Sequence, residues 1–431
     1  MKILTFLSVA SVATSMSVSA TSFEQLSLLD KDDIQIVDCR SSNFFNGWPE
    51  QGMSRGGHIQ GAINIDAQWL TKLNEKQLES LIAKKNIVKD KPTYLYCASG
   101  SLAGISKKLQ SVGFDKIYSI DEPLTHYPNE LVAQPNYQQL VTPQWVNKVI
   151  NGEKTEHAPK NGYRLVEVAW GPPAKFALSH IPTAYYLNTN NIEEEPLWNL
   201  VSDEKLTETI ANLGIRYDTT VILYGRDTMP AARAATTMMY AGVEDVRLLN
   251  GGMAAWVKEG YKTESLLPKA LTPVDFGRAI PAKPEVIIDT LQAKKILKTP
   301  EQSSLVSIRS WEEFIGDTSG YKYIPTKGRI DGSKWGHAGS NANSLEDFRN
   351  PDNTMRSPEE ITQLWGDWGI QPQQQVSFYC GTGWRASETL FYAYVMGWEN
   401  ISLYDGGWFE WSEDKSNPIA SGDIAPMMSK P

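Results

Sequence analysis

Cysteine is scarce. Cys39, Cys97 and Cys380 are the 3 thiols in 431 residues, too few for a disulfide framework and without the paired spacing of a structural zinc site. Long apolar runs are missing as well. Past residue 20 no stretch approaches the about eighteen apolar residues that a membrane-spanning helix needs. Nor is there a cluster of basic residues: 41 Lys and Arg stand against 50 Asp and Glu, and the formal charge of -9 repels nucleic acid and anionic lipid. What is present is an ordinary globular composition, 41% hydrophobic and 21% charged, which excludes disordered and collagen-like classes. The length corresponds to roughly three domains of about 150 residues.

The amino terminus reads as a secretory signal. Lys2 precedes an apolar stretch from Ile3 to Val12, and small residues ending Val18-Ser19-Ala20 place the expected cleavage after Ala20. The rest of the chain is expected to be exported, to the periplasm of a Gram-negative cell, and an oxidising compartment makes each free thiol worth explaining.

Three short signatures recur three times in the same order. The first closes a strand: Val37-Asp38-Cys39-Arg40, Val166-Glu167-Val168-Ala169 and Val306-Ser307-Ile308-Arg309. The second is a turn into a strand: Gly57-His58-Ile59-Gln60-Gly61-Ala62, Ser179-His180-Ile181-Pro182-Thr183-Ala184 and Gly328-Arg329-Ile330-Asp331-Gly332-Ser333. The third is an apolar strand ending on Tyr96-Cys97, Tyr224-Gly225 or Tyr379-Cys380, followed by a helical pattern. A glycine then follows at a near-constant offset (Gly113, Gly242, Gly397), and the second and third copies share a Gly-Gly tail, Gly251-Gly252 and Gly406-Gly407. Strands alternating with helical stretches predict an α/β fold with a mostly parallel sheet flanked by helices on both faces, used three times. The expected units are 21–142, 159–265 and 285–425 after a leader at 1–20, with linkers near Pro143 to Ala158 and Leu266 to Pro284. The third unit carries extra residues around Gly316 to Asn350.

The chemistry concentrates in Cys380-Gly381-Thr382-Gly383-Trp384-Arg385, between an apolar strand and a helix expected from about Ala386 to Met396. Small residues let successive N–H groups turn inward, and the helix start adds positive potential. A cysteine held there is expected to react as its thiolate.

These motifs, taken in order, resemble rhodanese domains, and the whole resembles the three-domain thiosulfate sulfurtransferases of Gram-negative bacteria. The resemblance implies three tandem rhodanese-like domains and a sulfurtransferase of the thiosulfate:cyanide type. The Cys380 thiolate would attack the outer sulfur of a donor such as thiosulfate, become a persulfide, and pass that sulfur to cyanide, a thiol or a protein. It places Gly381, Thr382, Gly383 and Trp384 around the added charge, with Arg385 facing the donor anion. Arg309 and Arg329 either add positive potential or brace the loop. The inserted Lys334-Trp335-Gly336-His337 either lines the entrance or packs, and His337 is not needed as a base. No metal or organic cofactor is expected, and the protein is expected to be a monomer.

The other copies depart from the pattern. Cys97 is followed by Leu102 where the third unit has Arg385, so that unit is expected to be weak or inactive. The second has Gly225 and no thiol. Cys39 reads most simply as a core residue, with a bond to Cys97 left open. Two further readings stay open: a sulfur-carrier or binding module serving a protein partner, and a cysteine-loop phosphatase or arsenate reductase. The latter loops resemble Cys-x5-Arg, whereas Cys380 and Arg385 enclose four residues. The one-site reading predicts that Cys380→Ala abolishes thiosulfate-dependent activity while Cys97→Ala leaves most of it. Equal losses in a turnover assay would sink it.

Overall fold

The computed structural model describes residues 19–50, 52–98 and 100–426. The described residues separate into two compact units, one within 19–41 and 59–131, the other within 42–58 and 132–426. Most of the expected leader lies outside the described residues. Ser19 and Ala20, at the expected cleavage point, belong to an edge strand.

The first unit holds one five-stranded sheet: β1 (Ser19–Thr21), β2 (Gln35–Asp38), β3 (Ala62–Asn64), β4 (Thr93–Tyr96) and β5 (Ile117–Ile120), in the order β1-β5-β4-β2-β3 with every pairing parallel. Cys39 and Cys97 follow the ends of its two central strands and are joined in a disulfide across 58 residues of sequence. Cys39 is therefore more than core filling. Each strand end stops beside its neighbour at the same sheet edge, so one register places both thiols together.

The second unit holds two more sheets with the same topology. One contains β6 (Leu140–Val141), β7 (Tyr163–Ala169), β8 (Tyr185–Asn188), β11 (Thr220–Tyr224) and β12 (Asp245–Leu249), ordered β6-β12-β11-β7-β8. The other contains β13 (Ile287–Ile288), β14 (Ser303–Ser307), β16 (Lys334–Trp335), β17 (Gln375–Tyr379) and β18 (Ile401–Tyr404), ordered β13-β18-β17-β14-β16. Both are wholly parallel. Two short antiparallel ribbons complete the strands: β9 (Glu193–Glu194) with β10 (Asn199–Leu200), and β15 (Arg329–Ile330) with β19 (Ile419–Ala420). The expected boundary at 142 and the linker at 143–158 need correction. β6 already pairs in the second sheet, and residues Pro143–Ile150 form a helix capped by Thr142. Pro143 at the first helical position, with Trp145, Val146 and Val149 buried along one side, favours helix over linker.

Alternation along a strand sends neighbours to opposite faces, and both faces here are covered. Val221 and Leu223 join one core cluster while Ile222 and Tyr224 join another. Val376, Phe378 and Cys380 are likewise separated from Tyr379. The cluster holding Val221 also holds Val376: the helix after the second loop (Thr228–Ala241) packs against the helix after the third (Trp384–Val395). Small buried residues Ala231, Ala232, Ala234 and Ala235 permit close approach of the two axes.

The Gly-Gly tail has a steric reason. Met253 N–H donates to Gly225 O at 2.9 Å, and Trp408 N–H donates to Cys380 O at 2.8 Å. A side chain at Gly407 (φ +56°) would stand 2.6 Å from Gly381 O, so only glycine lets the tail hold the loop from below. Replacing Cys39 and Cys97 together by Ser is expected to lower the stability of the first unit by about 2–4 kcal/mol. An unchanged urea midpoint would show that the bond contributes nothing.

Candidate active site

Cys380 follows β17 directly and is a free, buried thiol. The helix beyond begins at Trp384, two residues earlier than expected, because Gly383 (φ +111°) turns the chain into it as the cap. A glycine cap has no side chain to satisfy the first helical N–H groups, which leaves donors for whatever the loop encloses. The Gly383 N–H donates to Cys380 Sγ at 3.1 Å. Among the described residues, the N–H groups of Gly381, Thr382 and Trp384 make no hydrogen bond to the sulfur.

Arg385, expected to face the donor, is fully buried, and both its terminal nitrogens bond Glu313, Nη1 to Oε2 at 2.8 Å and Nη2 to Oε1 at 2.9 Å. Nη2 also donates to Tyr321 Oη at 3.1 Å. Arg309 is buried too; its Nε lies 3.3 Å from Glu313 Oε1 and its Nη1 donates to Gly328 O at 2.7 Å. It ties strand end, helix and turn together. Glu313 completes a capping box with Ser310. Burial alone would push its carboxyl up, but Arg385 and then Arg309 overcome this and hold it down at about 2.

Arg329 is engaged by the turn's own neighbours. Its Nη1 donates to Phe314 O at 3.3 Å and Gly422 O at 2.8 Å, and its guanidinium lies over the Phe314 ring. The other copies show why. His58 Nδ1 bonds Phe45 O at 2.8 Å while stacked on Phe45, and His180 Nδ1 bonds Phe176 O at 2.9 Å while stacked on Phe176. All three positions fasten the turn to the short helix before it.

The inserted tetrapeptide packs. Lys334 and Trp335 form β16, Trp335 lies against Trp311 and Trp368, and Lys334 Nζ donates to Gly369 O at 2.6 Å. His337 sits over Trp335 and 3.9 Å from Asp347; burial outweighs Asp347 and pulls its imidazole down to about 4.

The structure adds residues that no motif marked. The long insertion brings Tyr321 over the loop, so that a side chain at Gly381 would run into its ring, and Tyr323, half-exposed, beside Thr382 and Cys380. Burial pushes both phenols up. From the thiol-less second copy, Glu193 receives the Trp384 Nε1–H at 2.9 Å on both oxygens, and buried Arg233 lies 2.6 Å from Asp405. Burial pushes the Glu193 carboxyl up. The second copy's own loop is closed: Arg226 reaches Glu167 at 3.1 Å and the carbonyl oxygens of Lys175 and Ser179. Only Glu313 had a sequence signal, four residues after Arg309 and three after Ser310. Glu193, Arg233 and the tyrosines had none.

A free thiol on the strand-to-helix loop of a parallel α/β sheet, in a chain that repeats this sheet three times, defines a rhodanese-type sulfurtransferase. The Rhodanese-like domain model matches residues 22–127, 142–259 and 289–414, and the chain belongs to that family. Among curated relatives, the chain is 48% identical over 406 residues to thiosulfate sulfurtransferase YnjE of Escherichia coli, covering 94% of this chain and 93% of that one. The crystal structure of YnjE superposes with a TM-score of 0.92 at 46% identity, over 97% of this chain and all of the other. An anaerobic ergothioneine biosynthesis enzyme from Chlorobium limicola, in complex with trimethyl histidine, superposes with a TM-score of 0.89 at 35% identity over 95% of this chain and 100% of that chain.

The depressed Glu313 carboxyl makes a signed prediction. Its stabilisation is fully present above the ordinary value of 4.5 and is lost as pH falls toward 2. Glu313→Gln is expected to cost about 3–5 kcal/mol at neutral pH, because two buried arginines lose their anion. Urea denaturation from pH 7 to 3 should show a smaller acid-induced loss in the variant, and parallel curves would refute the assignment.

Proposed function

We propose that the protein transfers sulfane sulfur from thiosulfate or a similar anionic donor to a thiophilic acceptor through a persulfide on Cys380. The observation that carries this reading is the free Cys380 sulfur held at the loop by the Gly383 N–H. Cys380, as thiolate, attacks the outer sulfur of thiosulfate. A sulfur–sulfur bond forms to the enzyme, the donor's own sulfur–sulfur bond breaks, and sulfite leaves with the electron pair. Cyanide or a thiolate then attacks the outer persulfide sulfur and returns Cys380 as thiolate.

Cys97 is held in its disulfide and takes no part. That bond also supports the reading that the chain is exported, since such bonds persist in oxidising compartments. A monomer suffices for this chemistry, because every group invoked comes from one chain.

A second acceptor class is favoured by one observation: Tyr321 and Tyr323 pack together, ring centroids 5.3 Å apart, beside the cysteine loop. Aromatic faces suit a flat or cationic ring, and trimethyl histidine is the substrate of the Chlorobium limicola relative.

Intact mass after incubation with thiosulfate is the test. The wild type should gain about one sulfur mass, Cys380→Ala should gain none, and cyanide should reverse the gain. Trimethyl histidine offered in place of cyanide separates the acceptor classes. No gain on the wild type would remove the persulfide reading.

A further inference from the structure

The three arginines that the sequence assigned to the site are engaged away from the sulfur's donor. Arg385 is closed by Glu313, with Nε alone unpaired; Arg309 serves Glu313, Gly328 and Ser319; Arg329 serves Phe314 and Gly422. Beside the loop N–H groups, a cation for an anionic donor at Cys380 has to come from elsewhere. We infer that Arg233, carried by the second copy that lost its thiol, takes the oxyanion end of the donor at Cys380. This inference rests on the persulfide reading above.

Arg233 is 0% exposed and lies in a helix whose neighbouring positions are buried alanines. Burial of a charge in such a stretch demands partners. Nη2 has Asp405 at 2.6 Å and Trp198 O at 3.4 Å, and Nε has Glu193 at 3.4 Å. Nη1 has no hydrogen-bond partner among the described residues. It points at the cysteine loop: a side chain placed on Gly383 would stand 3.2 Å from it. Gly383 is the residue whose N–H holds the sulfur at 3.1 Å. The missing side chain at 383 therefore leaves open the path between an unpaired, buried donor and the reacting atom, and such donors are rarely left empty.

The chemistry follows the same balance as above. When Cys380 Sγ bonds to the outer sulfur, the electron pair of the breaking bond moves onto the departing sulfite, and Nη1–H meets an oxygen whose charge grows in that step. Arg233 thus favours donors with an oxyanion end over donors that lack one, and the second copy becomes half of the active site.

The test compares loading of Cys380 by thiosulfate and by hydrogen polysulfide, read as intact mass over time, in wild type and Arg233→Lys. Lysine keeps the charge beside Asp405 and removes Nη1. The ratio of thiosulfate to polysulfide loading rates is expected to fall about tenfold or more, as for a lost charge-assisted hydrogen bond. A purely structural role would depress both rates together and leave the ratio unchanged, which would overturn the inference. Should Arg233→Lys not fold, Asp405→Asn keeps the arginine and removes its neutralising charge. It should raise the same ratio, and an unchanged or lowered ratio would overturn the inference equally. A wild type that loads from neither donor would fail the persulfide reading itself, and this inference with it.

Discussion

The contact between the helices Thr228–Ala241 and Trp384–Val395 is the constraint on which the site depends. Each helix follows the loop of its own parallel sheet, so packing the two brings the first half of the second copy's helix against the cysteine loop of the third. That contact buries Arg233 where its charge needs Asp405, and it sets Glu193 against the Trp384 indole. Neither interaction exists within one copy. The alanines that permit the approach and the arginine that uses it are in one stretch of chain.

Three copies of one sheet have diverged at the loop while keeping its fastenings. The tyrosine ending the central strand reaches the turn each time: Tyr96 Oη accepts from Ile59 N–H, Tyr224 Oη accepts from Ile181 N–H, and Tyr379 Oη bonds Ser333 Oγ. The turn residue also holds the preceding helix in each copy, whether it is His58, His180 or Arg329. What changed is the loop content. In the first copy the thiol is tied to Cys39; in the second Arg226 closes the space; in the third a buried carboxylate, Glu313, holds two arginines, and the thiol is free and buried.

Much of this was legible along the chain, and the reasons are local. Strand, small-residue loop and helix are set by alternation, glycine and periodicity, so the threefold repeat and the place of Cys380 on its loop can be read along the chain. The turn signature likewise announces a fastening, although residue type alone did not separate bracing from charge for Arg309 and Arg329. The second boundary was misplaced because a two-residue strand, Leu140–Val141, is too short to show a period, and its membership in the second sheet is decided by β12.

Sequence by itself determined the repeat, its α/β class, and which loop retains a thiol, because those depend on neighbours a few residues apart. Tertiary structure alone decided which charges meet. Arg385 and Glu313 are 72 residues apart, Trp384 and Glu193 are 191 apart, and the Cys39–Cys97 bond joins two strand ends. Electrostatic partners are chosen by distance in space and by exclusion of water, and neither is written in the spacing of a motif.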